Sequence, residues 1–281
     1  AKVHKFLFLQ NFYSILYFTL LLNKFINGLD RKLDNRQVPK ENMSEANSRS
    51  DSATILLIGS GKLSKHLIHW FNLNKNNSSK ILNWDRHQDP HAIHRYATQA
   101  THIWLAISDS AIIPFYEKYL AGHEARVVHF SGALHDSRVT SAHPLMSFAD
   151  ELYADDFYPK IQFALTGCDS LSEALPGFTN TWFPLKAENK PLYHALCVAA
   201  GNFPQILWTE IYKIAHDHDL PAEAFDLYIQ QITENFLAMK NLALTGPIAR
   251  KDVSTVNKNI EALSGTPLQS IYQAFSKEFL K

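Results

Sequence analysis

Thr54-Ile55-Leu56-Leu57-Ile58-Gly59-Ser60-Gly61-Lys62-Leu63-Ser64-Lys65-His66-Leu67-Ile68 decides how the rest of the chain is read. Five β-prone apolar residues stop at a glycine pair, and an amphipathic pattern follows. That order predicts a buried parallel strand, a tight turn and the first turn of a helix. Gly59 lets the chain turn. Gly61 has no side chain to hold an anion away from the backbone, and the N–H groups of the helix start, with the helix dipole behind them, face that anion. Ser64 stands where a third glycine is usual, and is small enough for close contact between helix and strand.

The chain has 281 residues, 46% of them apolar, enough to bury a sizeable core in two domains. Its formal net charge is zero, which gives no basis for holding nucleic acid by phosphate attraction. Cys168 and Cys197 lie far apart without metal-ligand spacing and read as free thiols of a reducing, cytoplasmic compartment. Phe6 to Leu22 resembles a signal or anchor segment, but Gln10, Asn11 and Ser14 interrupt it, and it falls short of the roughly 20 apolar residues of a spanning helix. A membrane-anchored chain would depend wholly on this leader. Residues 1–52 are expected to be an extension and polar linker. Met43 looks like a natural start, which would leave residues 1–42 outside the working protein.

From Thr54 strand and helix alternate. Further strands are expected at Lys80–Trp84, Thr101–Ile107, Ala125–Phe130, Lys160–Leu165 and Asn180–Leu185, with Ser108 or Asp109 capping a helix near Ala111. The pattern predicts an α/β domain over residues 53–188 with a doubly wound, mostly parallel sheet, whose ligands sit at the carboxyl ends of the strands. Residues 189–281 read as an all-α domain. A long helix from Leu192 to about His216 contains Pro204, where a kink is expected. A helix opened by Pro221 carries Phe225, Tyr228, Ile229, Ile232 and Phe236 at helical spacing. Asp252 caps another with Val253, Val256, Ile260 and Leu263, and Thr266-Pro267 starts the last with Leu268, Ile271, Tyr272, Phe275 and Phe279. These stripes are expected to pack inward.

His129-Phe130-Ser131-Gly132-Ala133-Leu134, Ser141-Ala142-His143-Pro144-Leu145, Lys190-Pro191-Leu192-Tyr193-His194-Ala195 and Leu244-Thr245-Gly246-Pro247-Ile248-Ala249-Arg250-Lys251-Asp252-Val253 follow in that order. Together they resemble a family of Rossmann-like proteins with a C-terminal helical domain of unknown function. The family is similar in layout to pyrroline-5-carboxylate reductase, ketopantoate reductase and the 6-phosphogluconate dehydrogenase group. The resemblance, over residues 53 to 280, implies an NAD(P)-dependent oxidoreductase that forms a homodimer. It does not imply a substrate.

On this reading Gly59, Ser60, Gly61, Lys62 and Leu63 hold the pyrophosphate, and Ile107 and Ser108 line the nicotinamide side. Cofactor choice turns on the end of the second strand. Asp85 would bond a ribose 2′-hydroxyl and suit NAD, whereas the fork of Arg86 suits the 2′-phosphate of NADP; NADP is favoured, with NAD open. The same two residues could merely close the strand at the surface.

Lys190, just before Pro191, is the expected acid/base group, projecting into an interdomain cleft. His194 is one turn later, about 40° round the helix, and Asn202 about 80° further from His194. A lysine–asparagine pair on such a helix is the layout of the β-hydroxyacid dehydrogenases, although there the asparagine follows the lysine by about one turn, where this chain has His194. A solvated lysine and a structural histidine fit the same residues. Ser131, Gly132, His143 and Pro144 are expected at the substrate, or as plain loop.

The runs His87/His91/His94 and His216-Asp217-His218-Asp219 lack metal-site spacing, and no metal is expected. Neither a GxSxG elbow nor a Walker loop occurs. The function expected is hydride transfer between a nicotinamide cofactor and a small carbonyl, hydroxy-acid or imine substrate. The alternative is a nucleotide-binding sensor or scaffold without turnover.

Overall fold

The computed structural model describes residues 52–74 and 78–280, so the extension expected over residues 1–52 lies, except for Ser52, outside the described residues. Seven strands form one sheet: β1 (Thr54–Ile58), β2 (Lys80–Trp84), β3 (His102–Leu105), β4 (Arg126–His129), β5 (Thr140–Pro144), β6 (Phe163–Thr166) and β7 (Trp182–Pro184). Their spatial order is β2-β1-β3-β4-β5-β6-β7. The first five run parallel, β6 is antiparallel to β5, and β7 is parallel to β6. The sheet is therefore doubly wound and mostly parallel, as expected, with a reversed pair at one edge.

Alternation along the strands builds two cores. Ile55 and Leu57 of β1, Trp104 of β3, Val128 of β4 and Phe163 and Leu165 of β6 face one side. There they meet Leu67, Trp70 and Phe71 of α1 (Lys62–Leu73) and Phe178 of a later loop. Leu56, Ile58, Ile103, Leu105 and Val127 face the other side. There they meet Ala92, Ile93 and Ala97 of α2 (Ala92–Ala97) and Ile112 of α3 (Asp109–Phe115). Burial on both faces is why β1 reads as an unbroken apolar run. Each such buried side chain contributes about 1.5–3 kcal/mol relative to exposure.

Several strands are shorter than expected. β3 ends at Leu105, β4 spans only Arg126–His129, and a 3₁₀ turn at Tyr158–Lys160 precedes β6. β7 covers only Trp182–Pro184. β5, which pairs with β4 through Val128↔Thr140 and His129↔Ser141, has no counterpart among the expected strands. Its sequence, TSAHP, is not an apolar run.

After a one-turn α4 (Leu171–Ala174) and β7, the chain is helical: α5 (Lys190–Asp217), α6 (Ala224–Met239), α7 (Gly246–Ala249), α8 (Val253–Ala262) and α9 (Pro267–Phe279). α5 runs for 28 residues with Pro204 inside it. Asp252 caps α8, its carboxylate accepting from Thr255 N at 3.0 Å.

The expectation that the apolar stripes pack inward is corrected for much of this half. Val256 is buried, but Leu227 is 72% exposed and Phe236 56%, and Tyr228, Ile232, Val253, Phe275 and Phe279 also face outward. None of the residues of α6 is buried. The helical spacing is real, but among the described residues nothing covers these faces.

Candidate functional site

The carboxyl ends of β1, β2 and β3 open into a cleft of about 640 Å³. β1 is followed in space by β2 on one side and β3 on the other, so the cleft lies at the point where chain connections diverge, the usual ligand position in such sheets. Gly59, Ser60 and Gly61 form one wall, Asp85, Arg86 and His87 another, and Ile107, Ser108, Phe115 and Tyr119 a third.

Gly59 turns at φ +123°, and its N–H donates to Trp84 O at 2.8 Å. A Cβ there would stand 2.3 Å from Ala106 O. Asn83 fixes the turn from β2, with Nδ2 donating to Leu57 O at 3.1 Å and Gly59 O at 2.8 Å. Ser64 is buried, its Oγ only 3.1 Å from that same Cβ position, consistent with a small residue there. Gly61 precedes α1 with extended backbone, and a Cβ on it would meet nothing within 4 Å. The first-turn N–H groups of α1 have no partners within the helix and begin at this open side. Lys62 and Leu63 can offer backbone here, but their side chains turn elsewhere. Lys62 Nζ pairs with Asp150 at 3.0 Å, and Leu63 packs on the core. At the end of β2, Asp85 Oδ1 accepts from His87 N at 2.8 Å, which ties its carboxylate to its own turn, while Arg86 is exposed.

A second group of polar side chains lies at the ends of β4 and β5. Lys190, the first residue of α5, is 0% exposed. Its Nζ donates to Ser131 O at 3.1 Å and Ser141 Oγ at 2.7 Å, and Ser141 Oγ donates in turn to Ser131 O at 3.2 Å. The expectation that Lys190 projects into a cleft is corrected: α5 starts at Lys190, with Pro191 second, and the lysine side chain is turned under the strand ends. Burial lowers its pKa to about 8, against an opposing pull from Asp109.

Ser131 is fully engaged. Its hydroxyl donates to Asp109 Oδ2 at 2.5 Å and accepts from Leu134 N at 3.0 Å and Ala133 N at 3.3 Å. Ser108 occupies the cap position of α3 without a side-chain cap bond, and the Asp109 carboxylate is directed to Ser131 instead. His129 Nδ1 accepts from Ser131 N at 3.1 Å, leaving its proton on Nε2, which is buried without a partner among the described residues. Burial first, then Lys190, lowers the His129 pKa to about 4.

His143, on β5, has Nδ1 at 2.8 Å from Tyr193 Oη, with the rings edge to face at 5.4 Å. Burial, Lys190 and His194 lower its pKa to about 4. Gly132 lies beneath: a Cβ on it would stand 3.0 Å from both His143 Nε2 and His194 Cδ2. Pro144 ends β5 and is buried.

The structure thus brings Lys190, His194, Ser131, Gly132 and His143 together. It does not bring Asn202, which is exposed about 18 Å along α5 from Lys190, in a shallow groove with Gln205 and Thr209. A nearby angular position on the helix does not offset that axial distance. Asp109, His129, Ser141 and Tyr193 are additional members, and His87, Phe115 and Tyr119 additional parts of the cleft, whose glycine turn Asn83 fixes. A polar residue just past a strand end was the one available signal for Asp109. The histidine runs are exposed, and among the described residues no group of three His, Cys, Asp or Glu side chains could hold a metal ion. Among the same residues, no helix is long and apolar enough to cross a membrane.

A doubly wound sheet with a glycine turn at its divergence point and a helical C-terminal half defines a Rossmann-like fold. Residues 163–279 match the family described as Domain of unknown function (DUF2520). Among solved structures, the chain is similar to the Bacteroides fragilis protein named "putative NADP oxidoreductase BF3122", with 18% identity, a TM-score of 0.65, and coverage of 82% of this chain and 99% of that one. It is similar to protein TM1727 from Thermotoga maritima with 22% identity, a TM-score of 0.54, and coverage of 80% and 96%. Pyrroline carboxylate reductase from Plasmodium falciparum, with NADP bound, matches at 12% identity and a TM-score of 0.48, covering 82% and 98%. At these identities the first two likenesses are ones of fold. No curated protein sequence matches the chain.

Proposed function

We propose that this protein is an NADP-dependent oxidoreductase acting on a small carbonyl, hydroxy-acid or imine substrate, and that it works as a homodimer built through its helical half. The observation that carries this reading is the continuity of one sheet edge. The cleft at the ends of β1, β2 and β3 leads, through Ser108, Asp109 and Ser131, to the titratable group at β4 and β5. The domain of residues 53–188 would hold the cofactor, and residues 189–281 would close over it and supply the dimer contact.

The residues present fit such a cofactor. Gly61 leaves the space beside the first turn of α1 open, suiting a pyrophosphate on backbone N–H groups from Gly59 to Leu63. Arg86 is exposed in the cleft and suits a 2′-phosphate. Asp85, which would repel that phosphate, is already engaged by the N–H of its own turn. Ile107 and Ser108 continue the wall towards the nicotinamide end. When bound, the nicotinamide supplies or accepts hydride. The chain's own task is to orient the partner molecule, exclude water and stabilise charge on the reacting oxygen or nitrogen. Lys190 places a buried positive charge beneath the strand ends, and the His143 and His194 imidazoles both closely approach Gly132.

Calorimetric titration with NADPH, NADH and their oxidised forms tests the reading. Selective binding of NADPH supports it and justifies screening small keto acids and imines. Binding without turnover of any of them would favour a nucleotide-binding sensor, a reading that gains from the complete engagement of Ser131 and Lys190. No binding at all would remove the cofactor on which the proposal rests.

A further inference from the structure

We infer that His143, through Nε2, is the catalytic residue that meets the substrate's reacting oxygen or nitrogen, and that Lys190 is a positioning residue behind it. This rests on the oxidoreductase reading above and changes which group does the work. Lys190 is wholly enclosed, and two of its three donors are committed to Ser131 O and Ser141 Oγ. Ser131 Oγ–H donates to Asp109 Oδ2, and its oxygen accepts two backbone N–H groups. Neither side chain has a face to offer a substrate.

His143 does. In the register of the sheet, Ile58, Leu105, His129 and Ser141 form one row across β1, β3, β4 and β5. His143 is two residues beyond that row, on the same face as Ser141, towards the carboxyl edge that carries the cleft. Two strand spacings, about 10 Å, separate it from the edge of β3. Tyr193 holds Nδ1, and Nε2 turns over Gly132, where an added Cβ would stand a tight 3.0 Å from both His143 Nε2 and His194 Cδ2. When the Tyr193 hydroxyl donates to Nδ1, the neutral ring carries its proton on Nε2, so the imidazole presents a fixed hydrogen-bond donor to an oxygen or nitrogen gaining negative charge. The groups that set its state from the surrounding elements are Lys190, His194 and Tyr193 of α5 and Asp109 of α3, and the nearby ammonium helps keep the ring neutral.

The test is two-bond ¹H–¹⁵N spectroscopy of the full chain labelled at histidine, with His143→Gln to assign the ring. At pH 7 the ligand-free protein is expected to show His143 neutral with its proton on Nε2, and Tyr193→Phe is expected to let the Nδ1–H form appear. In Lys190→Met, the His143 titration midpoint should rise towards the ordinary histidine value; a purely structural lysine would leave it in place. Saturating NADP⁺ should move the His143 signals while those of His66, a buried residue of α1 bonded to the Tyr158 hydroxyl and Ala149 O, stay put. A charged ring at pH 7, a proton on Nδ1, or unmoved signals with NADP⁺ shown bound by calorimetry would each overturn the inference. Failure of every dinucleotide to bind would sink the oxidoreductase reading separately, since the tautomer is read without ligand.

Discussion

Lys190 Nζ lies 2.7 Å from Ser141 Oγ, so the first turn of α5 is fastened to the last strand of the parallel run by an enclosed ammonium. Holding that charge away from water has a measurable consequence. Burial lowers the lysine pKa from 10.5 to about 8. Between those pH values the unfolded chain keeps a proton that the folded chain has released, so stability rises with pH across the window. The cost that remains below pH 8 is about 3 kcal/mol, from the shift of 2.5 units. Urea unfolding at pH 7.5 and pH 10 should show the native chain gaining stability relative to Lys190→Met. Parallel pH dependences for the two proteins would refute the buried charge.

His129 and His143 act at the acidic end. Both have pKa values lowered from 6.5 to about 4, chiefly by burial. Below pH 6.5 the unfolded chain takes up protons that the folded chain refuses, so stability falls as pH drops towards 4. Each contributes a loss on the order of 3 kcal/mol over that interval. In His143→Gln the acid-induced loss should shrink by about half of the pair's total. Denaturant midpoints measured from pH 7 to pH 4 would show it, and an undiminished slope in the variant would count against a buried neutral His143.

Gly59 and Gly61 separate geometry from binding. Gly59→Ala combines a φ of +123° with a Cβ 2.3 Å from Ala106 O, and should destabilise the fold by about 3 kcal/mol or more. Gly61→Ala meets nothing within 4 Å and has ordinary backbone, so its thermal midpoint should hardly move. Its Cβ would enter the space proposed for the pyrophosphate, however, and NADPH binding should weaken at least tenfold. Equal stability of the two variants would show that the turn is not as tight as described.

The residues that could be read from sequence are those whose chemistry is local. β1 is legible because both faces are buried, and Gly59, Gly61 and Arg86 because they follow strand ends. β5 is not, since Ser141 and His143 turn to polar partners and leave no apolar run. Asp109 and Ser131 are 22 residues apart, and His143 and Tyr193 are 50 apart; only the fold brings such pairs into contact. Lys190 could be singled out by its place at the start of a helix, but not the direction of its side chain. The stripe on α6 is plain in the sequence, whereas what covers it is not.

Arg86 and Asp85 make cofactor preference testable on their own. Arg86 is exposed at the cleft wall, and Asp85 is held by the His87 N–H. Arg86→Ala should weaken NADPH by roughly ten- to a hundredfold, the size expected for a lost charge-assisted phosphate contact, and leave NADH nearly unchanged. Titrations of both nucleotides with both proteins decide the matter. An equal loss for NADPH and NADH would place Arg86 away from the 2′-phosphate.

The apolar surface of α6 gives the last prediction. Leu227, Tyr228, Phe236 and Leu237 are each more than half exposed, and they lie along a helix with no buried residue. Water-facing apolar surface of this extent marks an interaction surface. A second copy of the chain, packing the same face against itself, would cover it with the two-fold symmetry usual for such assemblies. Light scattering on the purified protein should therefore report twice the chain mass of 32.0 kDa. Phe236→Asp places a charge in that contact and should shift the protein to the monomer while the sheet, built by residues 54–184, stays folded by far-ultraviolet dichroism. A native protein that runs as a monomer at micromolar concentration, or a variant that remains dimeric, would show that α6 is covered by something else.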